Sequence, residues 1–317
     1  HWGLAFLAYD EIRFSESNNF NDDIVNLFSS LGVQKRNQLK ENVLRQLKED
    51  VSNSNHDKWL LSSEHIQSKL KLISEISKLR KILDELFDDI NILLYIRRPI
   101  STAISYWSTE VLSGSNRNSL FKPEELKSRC DYKSILQLWL SVFDKEQIKI
   151  KLFEDQSFFE GDLIKDFCKA TGINNLDMLK SSKKVNKSMS FHGIKFLSMF
   201  NKFLPRRIGR DINPLRDDIL NYCYTHYSHF PVYIPSQIEV DNFDKFYSET
   251  DEWIRQEFFP DRNKLWEEQQ VIYRDDCDRR FDPILTEFEK STLDMIFNIW
   301  KNKMSTINSL KDKVNYH

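Results

Sequence analysis

Asn91-Ile92-Leu93-Leu94-Tyr95-Ile96-Arg97-Arg98-Pro99 is an apolar run that stops at two arginines and a proline, and the chain continues from it through Ser105-Tyr106-Trp107. A short run of this kind, closed by a turn signal, reads as a fully buried strand of a parallel sheet. Pro99 suits the first turn of a helix, where no N–H partner is required. Arg97 is therefore expected at the carboxyl end of a buried strand, with Ser105 two turns into the next helix. In open α/β sheets, ligands bind outside the carboxyl ends of the strands. A guanidinium in that place, with a hydroxyl and helix N-terminal amides near it, suits a phosphate. The plain alternative is a strand that ends in solvated arginines.

Outward from this stretch the pattern alternates. Leu39, Val43, Leu44 and Leu47 predict an amphipathic helix over 36–50. Trp59-Leu60-Leu61-Ser62-Ser63-Glu64 predicts a short strand, 59–63, and its exit. Ile66, Leu70, Ile73, Ile76, Leu79, Leu83 and Leu86 predict one long helix over 65–88. Strand 59–63, helix 65–88 and strand 91–96 then form a βαβ unit, with the two strands adjacent and parallel. A helix over 100–112, a polar loop at 113–118, a helix over 132–143 and a strand over 148–153 follow. Beyond about residue 174 the strand signal fades, leaving a helical region with loops at Pro205, Pro214 and Pro231–Pro235. No internal repeat is apparent.

Composition sets the limits. The chain has 317 residues, 40% of them hydrophobic and 13% aromatic, which is enough to fill a sizeable core. No stretch approaches the roughly 18 uninterrupted apolar residues of a membrane span. A net charge of −2 gives a nucleic-acid partner no bulk electrostatic support. Cys130, Cys168, Cys223 and Cys277 are widely spaced and form no CxxC pair, which fits free thiols in a reducing, cytoplasmic setting. The seven glycines form neither GxxxxGK[ST] nor GxGxxG. The apolar opening, His1-Trp2-Gly3-Leu4-Ala5-Phe6-Leu7-Ala8-Tyr9, begins without Met and reads as the middle of a domain, so an N-terminal segment is expected upstream.

Arg97-x-Pro99, with Ser105 eight residues after the arginine and an aromatic pair behind it, resembles the 3′-phosphate-binding segment of the sulfotransferase family. Ile148-Lys149-Ile150-Lys151-Leu152-Phe153-Glu154-Asp155 resembles the family's next strand, which usually ends in aromatic-Glu-Asp. Asp166-Phe167-Cys168 to Thr171-Gly172-Ile173 resembles the helix after it. The likeness covers about residues 1–190, most strongly 58–173. It implies a P-loop NTPase-like three-layer α/β fold with a parallel central sheet over 1–190 and a helical C-terminal region over 191–317. It also implies 3′-phosphoadenosine 5′-phosphosulfate as co-substrate, with no metal, and sulfuryl transfer to a hydroxyl of a glycan, a lipid or another acceptor. By the same likeness, Arg97 and Ser105 hold the 3′-phosphate. The family's P-loop-like turn for the 5′-phosphosulfate has no counterpart here: either it lies upstream of His1, which the uncapped start favours, or the protein has lost it.

Sulfuryl transfer needs positioning, charge stabilisation and a base for the acceptor proton. In the family that base is a His or a Glu. Here Glu64, after strand 59–63, and His1 both qualify. Glu64 has a plainer reading as a helix first-turn carboxylate behind a Ser62 or Ser63 cap, and His1 as a merely exposed polar residue. The basic run Lys183-Lys184-Val185-Asn186-Lys187-Ser188 matches a late loop that some members fold over the 3′-phosphate, with Lys184 and Lys187 as candidates, or is a solvated charge run. Arg206, Arg207 and Arg210 suit an anionic acceptor or are surface charge. His226 and His229 have metal spacing but no evident third ligand. Trp253, Phe258, Phe259 and Trp266, around Glu257–Arg262, resemble a C-terminal element of bacterial sulfotransferase-like proteins and otherwise read as core. Two other classes stay open: a non-catalytic relative that binds a nucleotide or glycan, and a nucleotide-sugar glycosyltransferase, for which Asp88-Asp89 and Asp275-Asp276 give no DxD-like site.

Overall fold

The computed structural model describes residues 3–15, 23–173, 188–208 and 211–267. In chain order the helices and strands are α1 (Gly3–Ala8), α2 (Ile12–Ser15), α3 (Asp23–Phe28), α4 (Val33–Ser52), α5 (Glu64–Lys69), α6 (Ile73–Asp84), β1 (Ile92–Ile96), α7 (Pro99–Leu112), α8 (Lys127–Cys130), α9 (Tyr132–Leu140), β2 (Ile148–Leu152), α10 (Leu163–Thr171), α11 (Phe191–Phe200), β3 (Arg207–Ile208), β4 (Asp211–Ile212), α12 (Pro214–His226) and α13 (Gln237–Phe258). The protein is mixed α/β and mostly helical. It falls into two compact units that do not follow chain order. Of the described residues, one comprises 3–15, 23–102, 122–173 and 243–267, the other 103–121, 188–208 and 211–242.

In the first unit β1 and β2 pair in parallel, in register from Ile92 with Ile148 to Ile96 with Leu152. Phe153 N extends the ladder by donating to Ile96 O at 2.7 Å. Ile148, Ile150 and Leu152 turn inward along β2, while Lys149 is exposed and Lys151 half-buried. Of β1 only Ile96 is fully buried. The sequence predicts a wholly buried strand there. The difference follows from pairing, because among the described residues β1 has a strand neighbour on one edge alone. The core joins Ile96, Ile150 and Leu152 to Ile76, Leu79 and Leu83 of α6 and to Leu136 and Trp139 of α9. Each such side chain contributes on the order of 1.5–3 kcal/mol by leaving water.

The expected βαβ unit over 59–96 is not formed. Residues 58–63 carry neither helix nor ladder, and Trp59 and Leu60 are exposed at 37% and 54%, so this apolar run is not a core strand. β1 takes β2 as its parallel neighbour instead. The helix expected over 65–88 is two helices, α5 and α6, because Leu70 and Leu72 are extended. Glu75 explains the break. Its carboxylate accepts from Lys71 N at 3.2 Å and Leu72 N at 3.3 Å, replacing a continuous helical ladder at that point. The phase shift leaves Ile73, part of the predicted stripe, 54% exposed.

In the second unit, Trp107 and Val111 of α7 pack with Met189, Ile194, Leu197 and Cys223. The last carbonyls of α7 are well supplied with donors. Asn201 Nδ2 reaches Val111 O at 2.8 Å, and the buried Arg216 donates to Val111 O at 3.0 Å and also to Leu112 O. A cation at a helix C-terminus also meets the negative end of its dipole. The antiparallel pair of β3 and β4 lies in a region where the sequence predicts helices and loops only. Two residues per strand are too few to leave a periodic signal.

Candidate anion site at the carboxyl end of the parallel strands

β1 ends at Ile96, and Pro99 opens α7, whose first helical bond runs from Thr102 N to Arg98 O at 3.0 Å. Arg97 and Arg98 are the two residues of this turn. Tyr132, the first residue of α9, fixes it. Its hydroxyl accepts from Arg97 N at 3.3 Å and donates to Arg97 O at 3.0 Å. Asp131 caps α9 by accepting from Ser134 N at 3.2 Å, so the tyrosine is set by the helix start. Burial raises the Tyr132 phenol well above its ordinary range, so it stays protonated and can keep both bonds. The sequence reading missed Tyr132. The only local signal was Asp131 before a helical run.

The two arginines differ. Arg98 is forked onto Asp244 of α13, with Nε to Oδ1 at 3.3 Å and Nη2 to Oδ2 closer still. The guanidinium of Arg97 has no acceptor among the described residues. It lies over the ring of Phe153, 5.5 Å from its centroid, at the end of β2. Burial lowers its pKa, with Tyr132 and Asp155 acting the other way. Glu154, next along, is buried and raised by that burial. It accepts from Ser157 Oγ at 3.2 Å and has Arg262 at 3.7 Å. This end of the sheet therefore offers a half-buried cation on an aromatic shelf, with the neighbouring carboxylate committed elsewhere. Such a cation can take a compact anion.

Ser105 lies on α7 with its side chain exposed. It belongs to the second unit, whereas Arg97 belongs to the first. Glu64 is the first residue of α5, directly after Ser63, whose hydroxyl accepts from His65 N at 3.3 Å. His1, Lys184 and Lys187 lie outside the described residues, as do Arg210, Cys277 and Asp275-Asp276. Arg206 is exposed. His226 stacks on Tyr222, and the His229 ring lies tilted against Phe230. Among the described residues no group of three or more His, Cys, Asp or Glu side chains is placed to hold a metal ion. Trp266 is a core residue of the first unit, and Trp253, Phe258 and Phe259 pack against that core. Cys130, Cys168 and Cys223 are buried free thiols. Among the described residues no helix is long and apolar enough to cross a membrane.

Comparison with known proteins adds little to this geometry. No protein-family model matches the chain. A curated relative from Archaeoglobus fulgidus, described as an uncharacterized protein, is 27% identical over 211 residues, covering 64% of this chain and 55% of the relative. The chain thus spans about half the length of that relative. No solved structure matches.

Proposed function

We propose that Arg97 is the guanidinium of a 3′-phosphate site. On this reading the whole protein, with a P-loop NTPase-like three-layer core, transfers a sulfuryl group from 3′-phosphoadenosine 5′-phosphosulfate to a hydroxyl of a glycan or lipid. One observation carries the reading: Arg97 is half-buried and its guanidinium has no hydrogen-bonded acid among the described residues, Asp155 acting on it only at longer range, while Arg98 beside it is paired. A cation withdrawn from water is costly unless something pairs with it, and a phosphate would supply charge-assisted hydrogen bonds. Ser105 is the hydroxyl that the resemblance assigns to the same phosphate, and Glu64 and His1 stay as alternative bases. The test is titration with adenosine 3′,5′-bisphosphate and adenosine 5′-phosphate. Micromolar binding of the first with far weaker binding of the second supports the site; equal or absent binding of both argues against it.

A second reading is a non-catalytic relative that binds the nucleotide without transferring sulfate. A phosphate-cradling turn in the sequence upstream of residue 1 would favour the enzyme over this reading. Sulfate transfer by the whole protein to a hydroxyl acceptor, lost in Glu64→Gln or His1→Ala, separates the two.

A further inference from the structure

Asp244, Tyr247 and Asp251 recur at spacings of three and four along α13 and so share one face. Two of them are well engaged: Asp244 holds Arg98, and the Tyr247 hydroxyl donates to Pro123 O at 2.7 Å. Asp251 is different. Its Oδ1 is shielded from solvent and makes no close hydrogen bond among the described residues. Three groups act on its carboxyl. Arg98 acts from the turn after β1, Asp244 from its own helix and the Trp266 indole from the segment after α13. Cys130 of α8, Tyr132 of α9 and Tyr247 of α13 in turn feel the charge of Asp251. A carboxylate kept from water without a full set of donors is disfavoured against its neutral acid.

We infer that the seat of α13 against the end of β1 is a proton-linked joint, in which neutral Asp251 keeps the helix down and ionisation of Asp251 loosens it. Burial raises this carboxyl to about 7; the Trp266 N–H and Arg98 pull it down, and Asp244 pushes it up. A carboxyl freed into water has a value of about 3.9. Opening of the joint therefore releases a proton between about pH 4 and 7, and becomes easier as pH rises through that window. Above about 7 both states are ionised, and the opening equilibrium levels off. The joint grips Arg98, whereas the backbone of Arg97 beside it is held separately by the Tyr132 hydroxyl.

Hydrogen exchange of the full chain tests this. After correction for intrinsic rates, amides over residues 247–258 should open about tenfold more per pH unit from pH 5 to 6.5 and level off above about 7.5. Asp251→Asn should remove that dependence. Direct observation of the Asp251 carboxyl by carbon NMR in the wild-type protein should give a midpoint near 7, and it serves if the variant does not fold. A pH-independent opening in the wild type, the same dependence in Asp251→Asn, or a midpoint below about 5 would overturn the inference. Neither readout uses a nucleotide, so the result stands apart from the reading of Arg97.

Discussion

The first unit contains two clusters of charge that are opposites. Around Glu75, which is fully buried, everything is matched. Its two oxygens accept from Arg13 Nε at 2.7 Å, Arg13 Nη2 at 2.8 Å and the backbone N–H groups of Lys71 and Leu72. Nearby, Glu11 takes the buried Arg36 at 2.8 Å and Lys40 at 3.2 Å, and Lys40 also reaches Tyr9 O at 2.8 Å. At the end of β1 the opposite holds: Arg97 has no hydrogen-bonded acid among the described residues, with Asp155 acting on it only at longer range, and Asp251 has an orphaned oxygen. A saturated network has nothing left for a ligand and serves to hold helices α1 to α6 in register. An unsaturated one keeps binding capacity at a cost in stability. The contrast separates structural charge from candidate functional charge where residue type alone cannot.

The contrast breaks most visibly at Glu75. Glu75→Ala removes a buried acceptor from Arg13 and from the backbone N–H groups of Asp10, Lys71 and Leu72, and should cost about 3–5 kcal/mol of folding stability by chemical denaturation. A loss below about 1 kcal/mol would mean the cluster is not what holds these helices.

Asp166 should come next. It joins three elements, accepting from Tyr95 at 2.7 Å, Lys151 at 2.8 Å and Phe159 N at 3.0 Å. Asp166→Asn should cost about 2–3 kcal/mol at neutral pH. Burial alone would raise this carboxyl, but the bonds from Lys151 and Tyr95 outweigh it and the net shift is downward. Its stabilisation is therefore full above about pH 4, the unfolded value, and lost as pH falls through the lower folded value. The variant should show a flatter acid limb in a plot of stability against pH. An unchanged limb would remove Asp166 from the account.

The two adjacent arginines sharpen the comparison at a smaller scale. Arg98→Ala leaves Asp244 without its partner and should cost about 1–2 kcal/mol, discounted because Asp244 is 40% exposed. Arg97→Ala should change stability by less than about 0.5 kcal/mol, or raise it, since no described acid loses a hydrogen-bonded partner and Asp155 acts only at longer range. Equal losses at both positions in thermal melts would mean that Arg97 has a structural partner.

The sequence carried the strand at 92–96, the proline-started α7 and the strand at 148–152, because each combines a short apolar run or a 3.6-residue stripe with a turn signal. It misled at 59–63, where an apolar run lacks a ladder neighbour, and at 70–72, where a single buried carboxylate interrupts a stripe that stays helical on both sides. At the site, Arg97 stood out through its place after a strand and before a proline. The role of Tyr132, 35 residues on, depends on a hydroxyl meeting a backbone turn across the fold. The orphaned oxygen of Asp251 depends on burial that no local pattern records.

The central claim is that an anion pairs with Arg97, whose guanidinium has no hydrogen-bond acceptor among the described residues. Isothermal titration of wild type, Arg97→Ala and Arg98→Ala with adenosine 3′,5′-bisphosphate tests it most directly, with adenosine 5′-phosphate as the control. Arg97→Ala should weaken the bisphosphate by about tenfold to a few hundredfold, equivalent to about 1.4–3 kcal/mol, while barely affecting the monophosphate. Arg98→Ala should do little to either. Equal losses for both nucleotides, or a larger loss at Arg98 than at Arg97, would contradict the account.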